Sequence, residues 1–356
     1  MTQLRLSICI ATRNRGDYLA ATLECILPQM DETIEVIVVD GGSTDSTEAV
    51  MKEYGARIAR LRYIRLESAG GVDRDYARAV DAATGEYCWL MADDDMLKPG
   101  AVHAVLERLD QGFSLIVVNA EVWNADLSGM IDRWRLPFNN DRTYGPEEPD
   151  RLLAEAGSFL SFIGCVVIRK DLWCEREKDP YIGTEFIHVG VIFQAPLPGR
   201  ALAIAEPWIV IRYGNAQWGP RSFRIWMFQW PSLIWSFSHI GEWAKKSVVV
   251  PAPWRRTKTL MRYRAMGAYT PQVYQAMIRP VARSFGMRAR AWAVAHLPGV
   301  IANVMGLVYY RWFHPSSNLE LADMRSSRFY PFRSMTVSLT RRVDLDRRNP
   351  STEENK

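Results

Sequence analysis

The densest chemistry in the chain is a run of three aspartates, Asp93-Asp94-Asp95. They follow an apolar stretch, residues 87–91, with the length and composition of a buried strand. Pro99, just beyond them, suits the first turn of a helix, where the N–H it lacks would have no partner anyway. Three adjacent carboxylates repel one another and raise one another's pKa unless a cation compensates. A hard divalent ion, Mg²⁺ or Mn²⁺, takes oxygen ligands and leaves positions for phosphate oxygens. Taken alone, the cluster reads more readily as a solvated acidic turn that caps a helix, so the elements around it must decide.

Those elements alternate. Strands are expected at 6–11, 34–39, 62–66, 87–91 and 115–118. Between them come helices from Asp17 to residue 27, from about 47 to 54, through residue 83, and from Pro99 to 109. Alternation of this kind means βαβ units and a mostly parallel sheet. The first, second and fourth strands end in Thr12-Arg13-Asn14-Arg15, in Asp40-Gly41-Gly42-Ser43-Thr44-Asp45 and in the three aspartates. Parallel strands bring such ends to one rim, where open α/β sheets bind ligands. Carboxylates for an ion, arginines for phosphate oxygens and glycines that let backbone N–H groups approach suit a metal–diphosphate. The chain contains neither a G-x-x-x-x-G-K-[ST] loop nor a G-x-G-x-x-G fingerprint, which argues against P-loop, nicotinamide and flavin chemistry.

Composition is that of an ordinary globular protein, and 356 residues suggest about two domains. The net charge of +4 hides an asymmetry: residues 212–356 hold 23 Lys and Arg against 7 Asp and Glu. An acidic body joined to a basic, aromatic third points to an anionic surface partner. Five cysteines without a C-x-x-C pair read as reduced thiols, in keeping with a cytoplasmic compartment, and the first apolar run, short and carrying Arg5, is not expected to act as a signal peptide.

In this order, the series 7–15, 35–45, Ala83-Thr84-Gly85-Glu86-Tyr87 and Ala92-Asp93-Asp94-Asp95 resembles the family 2 glycosyltransferases, across roughly residues 5–120. Residues 70–76 and 88–91 further resemble the branch of O-antigen abequosyltransferases. The resemblance implies a GT-A nucleotide-sugar-binding fold, Rossmann-like with a mostly parallel sheet, over residues 1–215. Its donor half would be about 1–120 and its acceptor half 121–215. It implies transfer of a sugar from a nucleoside-diphosphate donor to a hydroxyl of a glycan or lipid-linked glycan, assisted by Mn²⁺ or Mg²⁺. Thr12 and Asp40 would meet the nucleoside. Arg13, Arg15, Gly42, Asp73 and Arg74 would line the nucleotide sugar, and Asp94 would meet the ribose. Asp93 and Asp95 would hold the metal, because Ala92 stands where the family's usual first acid would be. The family's inverting members use a carboxylate base from the second half of the domain. Glu185 is the candidate here and His188 the reserve.

A loop at 215–219 joins Asn215 and Trp218, groups that can bind hydroxyls and stack on a sugar face, and is the expected acceptor site. The region 216–340 should be a helical, aromatic and basic extension, followed by a disordered tail at 341–356. Phe223, Trp226, Trp230, Leu233 and Phe237 recur on one helix face, yet the segment is apolar nearly all round, which suits deep burial, contact with a second copy or a lipid interface. Pro231 should divide it. Residues 291–310 carry no formal charge and reach the ~20 residues of a membrane span, but His296, Pro298-Gly299 and Asn303 favour a helix lying in the plane of an anionic membrane, held peripherally on its cytoplasmic side. No nucleic-acid partner is expected. Two other readings remain open: a sugar-phosphate nucleotidyltransferase on a similar α/β domain, and a non-catalytic scaffold that binds nucleic acid or membrane through the basic third.

Overall fold

Apolar runs without alternation can be buried only on both faces, and those of the N-terminal half become the centre of a sheet. In the computed structural model, which describes residues 3–215 and 219–332, β1 (Leu6–Thr12), β2 (Ile34–Asp40), β3 (Leu61–Arg65) and β4 (Tyr87–Met91) run parallel in the order β3-β2-β1-β4. Every residue of β2 and β4 is buried. Helices α1 (Gly16–Ile26), α2 (Thr47–Arg57) and α3 (Val72–Ala82) make the crossovers. Thr12 pairs with Asp40 and Asp40 with Arg65, so the strand ends stand level. The turn before β4 is fixed from the opposite end of the sheet. The Glu35 carboxylate accepts hydrogen bonds from Ser7 Oγ at 2.7 Å and from the Thr84 N–H at 2.6 Å. A Cβ on Gly85 would come within 2.7 Å of Ser7 Oγ, which is why glycine stands there.

Beyond β4 come β5 (Met96–Leu97), α4 (Ala101–Leu109), β6 (Leu115–Asn124), β7 (Met130–Asp132) and β8 (Arg142–Tyr144). They are followed by α5 (Pro149–Ala156), β9 (Val166–Arg169), α6 (Lys170–Glu175), α7 (Ile187–Phe193) and β10 (Ala201–Tyr213). β9 runs antiparallel between β4 and β6, and β10 runs parallel to β6. The order is β3-β2-β1-β4-β9-β6-β10-β5, with β7 on β6 and β8 on β10. The result is the mixed α/β, mostly parallel sheet expected from the sequence. Two local expectations change. Gly100, in the left-handed region at φ +86°, separates Pro99 from α4, so the aspartates lead into β5 rather than straight into a helix. Asp17 lies inside the first turn of α1 and does not cap it; Arg15 precedes the helix instead.

The described residues divide into two compact units, one holding residues up to 215 together with 225–252, the other holding 219–224 and 253–332. In the first, the aromatic segment proves deeply buried: a wide turn, Ile225–Gln229, leads into a helix, Trp230–Ser236, with Pro231 in its first turn. Ile225, Met227, Trp230, Leu233 and Ile234 are all buried. The second unit packs helices Thr257–Met266, Phe285–His296, Gly299–Phe313 and Asn318–Ser326. Its core gathers Ala265, Ala302, Tyr310, Leu321 and Met324. Asn303, buried in that core, donates from its amide to the carbonyls of Ala265 at 3.2 Å and Met324 at 2.9 Å. The uncharged run 291–310 is therefore split between two helices bent by 97°, and among the described residues no single helix is long and apolar enough to cross a membrane. The tail from 341 and Trp218 lie outside the described residues.

Candidate active site

The loops after β1 and β2 are stitched together. The Asn14 N–H donates to Ser43 Oγ at 2.8 Å, and Asn14 Oδ1 accepts from the Thr44 N–H at 2.7 Å. Asp45 accepts from the Gly16 N–H at 3.0 Å. At the end of β2, Asp40 is fully buried. It accepts from the Ser43 N–H at 2.8 Å and from the Tyr63 hydroxyl at 2.6 Å. Gly42 sits at φ +77°, where a Cβ would also crowd the Glu67 carbonyl at 3.1 Å. Asp75, buried on α3, lies against Gly41: a Cβ there would be 3.3 Å from its carboxylate.

The three aspartates are held from two sides. Thr22, on α1, donates its hydroxyl to the carbonyls of Asp93 at 3.1 Å and Asp95 at 2.7 Å. The Arg15 guanidinium lies 3.2 Å from the Asp93 carboxylate, pairs with Asp94, and donates to the Asn215 carbonyl at 3.0 Å. From the end of β10, Arg212 donates its backbone N–H to Asp95 Oδ1 at 2.9 Å and its Nε–H to the Asp94 carbonyl at 3.1 Å. Both guanidinium groups lie over the ring of Tyr18, at 4.5 and 5.2 Å from its centre.

This compensation is incomplete. Burial, then the charge of Asp94, pushes Asp93 up to about 7, although Arg15 and the Thr12 hydroxyl oppose the rise. Burial raises Asp94 despite Arg15. Asp95 is raised well above the ordinary aspartate range, by burial first and then by Asp94 and Asp93. A site that holds its carboxyls this far up is short of positive charge. Its hard oxygen donors fit Mg²⁺ or Mn²⁺. Among the described residues no group of three or more His, Cys, Asp or Glu is arranged to hold a metal by itself. An ion here would have to take its remaining ligands from a bound diphosphate and water.

A second cluster forms around Asp73, in the first turn of α3. Its two oxygens accept backbone N–H bonds from Gly183 at 2.8 Å, Glu185 at 2.9 Å and Ile187 at 3.0 Å. Burial raises its pKa, with these three donors pulling the other way. Glu185 is half-buried and held at φ +71°, a conformation costly for a residue with a Cβ. The aromatic segment supports this loop. Phe186 packs on Trp230 with ring centres 4.6 Å apart, and Gln229 donates to the Gly183 carbonyl at 2.6 Å.

The sequence-derived candidates thus fall into groups. Thr12, Asp40 and Gly42 lie at the ends of β1 and β2, and Arg15, Asp93, Asp94, Asp95 and Asn215 meet at the end of β4. Asp73 and Glu185 form their own cluster. Arg13 and Arg74 are exposed. His188 is 1% exposed, its Nε2 lies 2.7 Å from the Leu160 carbonyl, and burial lowers its pKa to about 4. Arg212, Tyr18 and Thr22 were not singled out in the sequence. The signal for Arg212 was faint: a basic residue at the end of an apolar stretch, 201–211, that contains a proline.

The family described as glycosyl transferase family 2 matches residues 7–174. The abequosyltransferase RfbV of Salmonella typhimurium is 28% identical over 59% of this chain and 67% of its own length. Among solved structures, residues 1–349 of Staphylococcus aureus TarS superpose with a TM-score of 0.54 at 14% identity, over 94% of this chain and 92% of that one. The mannosyltransferase PcManGT from Pyrobaculum calidifontis, in complex with GDP-Man and Mn²⁺, gives 0.51 at 15% identity, over 92% and 86%. At these identities the structural likeness speaks for the GT-A fold alone.

Proposed function

Because this chain belongs to glycosyl transferase family 2 and is a glycosyltransferase by descent, we propose that it moves a sugar from a nucleoside diphosphate to a hydroxyl of a glycan or lipid-linked glycan in cell-surface polysaccharide synthesis. The nucleoside would lie against the loops that follow β1 and β2, near Thr12, Asp40 and Gly42. Arg13 and Arg74 would reach the diphosphate, and Asp94 the ribose. Asp93 and Asp95 would hold Mn²⁺ or Mg²⁺, which when bound neutralises charge on the departing diphosphate. The Mn²⁺ and GDP-Man bound to PcManGT support both the ion and the donor class.

Glu185 would accept the proton of the acceptor hydroxyl as that oxygen bonds to the anomeric carbon and the sugar–phosphate bond breaks, its electron pair leaving with the diphosphate. Asp73 would position it through the three N–H bonds that fix loop 183–187. Asn215 and Trp218 are the acceptor candidates. The closed environment of His188 leaves the base role to Glu185. The likeness to RfbV favours a deoxyhexose-type donor of the abequose kind, and a lipid-linked acceptor would keep the enzyme at the cytoplasmic face of a membrane.

The observation that carries this reading is the buried trio at the end of β4, where burial raises all three carboxyls and neighbouring aspartates raise Asp93 and Asp95 further. Its test is calorimetric titration of the folded protein with UDP, GDP, CDP and dTDP, each with Mn²⁺ and with EDTA. Metal-dependent binding of one nucleotide is expected, and CDP would favour the abequosyltransferase-like branch. Equal binding in EDTA would remove the metal, and no binding of any nucleotide would overturn the whole reading.

A further inference from the structure

The helix Gly299–Phe313 is apolar on both sides. One arc, containing Gly299, Ala302, Asn303 and Tyr310, is buried in the core of its unit. The other carries Val300, Ile301, Val304, Met305, Val308 and Trp312, all exposed, with Trp312 at 77%. At about 100° per residue these six fall within an arc of roughly 140°. Phe285, on the helix before the bend, is 87% exposed. A contiguous apolar stripe left open in this way marks an interaction surface.

Charge identifies the occupant. Residues 253–332 contain twelve Lys and Arg and only two acids, Glu320 and Asp323. Both acids are spent on Arg262, at 3.5 and 2.7 Å. The exposed arginines, among them Arg283, Arg288, Arg290 and Arg311, therefore set the sign of the surface. A second copy would bring the same positive charge to the contact and be repelled. A nucleic acid would find Val, Ile and Met where its phosphates and bases need polar or aromatic partners. An anionic bilayer satisfies both features, taking the apolar arc into its headgroup layer and the arginines onto its phosphates. Fifteen residues make a helix of about 22 Å, short of a ~30 Å hydrocarbon core, and the preceding helix meets it at a 97° bend instead of continuing its axis.

We propose that helix Gly299–Phe313 lies in the plane of an anionic membrane surface, its Val300–Trp312 arc inward, and docks the protein there without spanning. None of its residues belongs to the candidate active site, so this docking stands or falls separately from the catalytic reading. The test is flotation of the full chain with phosphatidylcholine vesicles, with and without phosphatidylglycerol. The anionic vesicles should bind at least about tenfold more tightly, and salt should weaken the binding. The triple variant Val304→Glu, Val308→Glu, Trp312→Glu should lose about tenfold or more while keeping its circular dichroism spectrum. In the unaltered protein, hydrogen exchange across 299–313 should slow when anionic vesicles are added, a readout that does not depend on the variant folding. Equal binding to both vesicles, or unchanged exchange at 299–313, would overturn the proposal. So would a sedimenting dimer that the triple variant dissolves, or a preference for oligonucleotides over vesicles.

Discussion

The rim formed by the ends of β1, β2 and β4 and the helix Gly299–Phe313 break opposite rules. The rim buries charge: Asp40, Asp93 and Asp95 are each less than a tenth exposed. The helix exposes hydrocarbon, and sets it among arginines. Buried carboxylates cost stability unless a cation or hydrogen bonds answer them, and exposed apolar stripes cost solubility. Neither arrangement is what folding alone would select. The rim is also bound tightly into its surroundings, with Arg15, Thr22 and Arg212 all tied to the aspartate loop. Among the described residues, nothing on the outer side of the stripe fixes its chemistry so closely. A small ligand of defined shape requires the first kind of surface, whereas a fluid one tolerates the second.

This contrast can be broken experimentally, and the largest effect should come from the base. Glu185→Gln should leave nucleotide affinity within about twofold and lower kcat by about 10²–10⁴; unimpaired turnover in a transfer assay would rule Glu185 out. Asp95→Ala should weaken nucleotide binding in Mn²⁺ by about a hundredfold while leaving any binding in EDTA unchanged, and calorimetry distinguishes the two.

The third effect is on stability. Asp93 titrates near 7 in the folded protein against an ordinary 3.8, so the folded state holds its proton more tightly. The stability this confers is complete below pH 3.8 and is lost as pH rises through about 7. Asp93→Asn cannot lose it. Its stability relative to the unaltered protein should therefore climb between pH 4 and pH 8 by an amount on the order of 4 kcal/mol, measured by urea unfolding without metal. A flat difference would mean that Arg15 neutralises Asp93 fully.

The smallest effect belongs to the helix. Trp312→Ser should change unfolding stability by less than about 0.5 kcal/mol, whereas Tyr310→Ala, two residues earlier on the buried arc, should cost about 3 kcal/mol. Similar losses would mean that the stripe is covered in the free protein.

Legibility in the sequence followed locality. β1, β2 and β4 were readable because each is a largely apolar run ending in a polar cluster, so the strand-end loops and the trio could be placed before any coordinates. β9 was missed because Val166–Arg169 is four residues long, too short to distinguish from a turn of helix. β10 was missed because Pro207 lies within it. A proline argues against a strand interior except at a bulge, and the register with β6 does shift between Ile204 and Ile209. Arg212 was lost with that strand. The hydrogen bonds of Asp73 could not be read at all, since the N–H groups it accepts come from a loop 110 residues and more away. The amphipathic logic of 299–313 was half visible: the run was plainly apolar, but only packing could assign one arc to the core and leave the other open.

The left-handed backbone at Glu185 has a consequence for anyone who tries to improve this protein. Any residue with a Cβ is strained at φ +71°, and glycine would relieve roughly 1 kcal/mol there. A library sorted for thermal tolerance alone should enrich Glu185→Gly, rewarding the loss of the proposed base. Heat resistance and turnover would thus pull in opposite directions at one codon, and a selection campaign would need both readouts to avoid breeding a sturdier, inert protein.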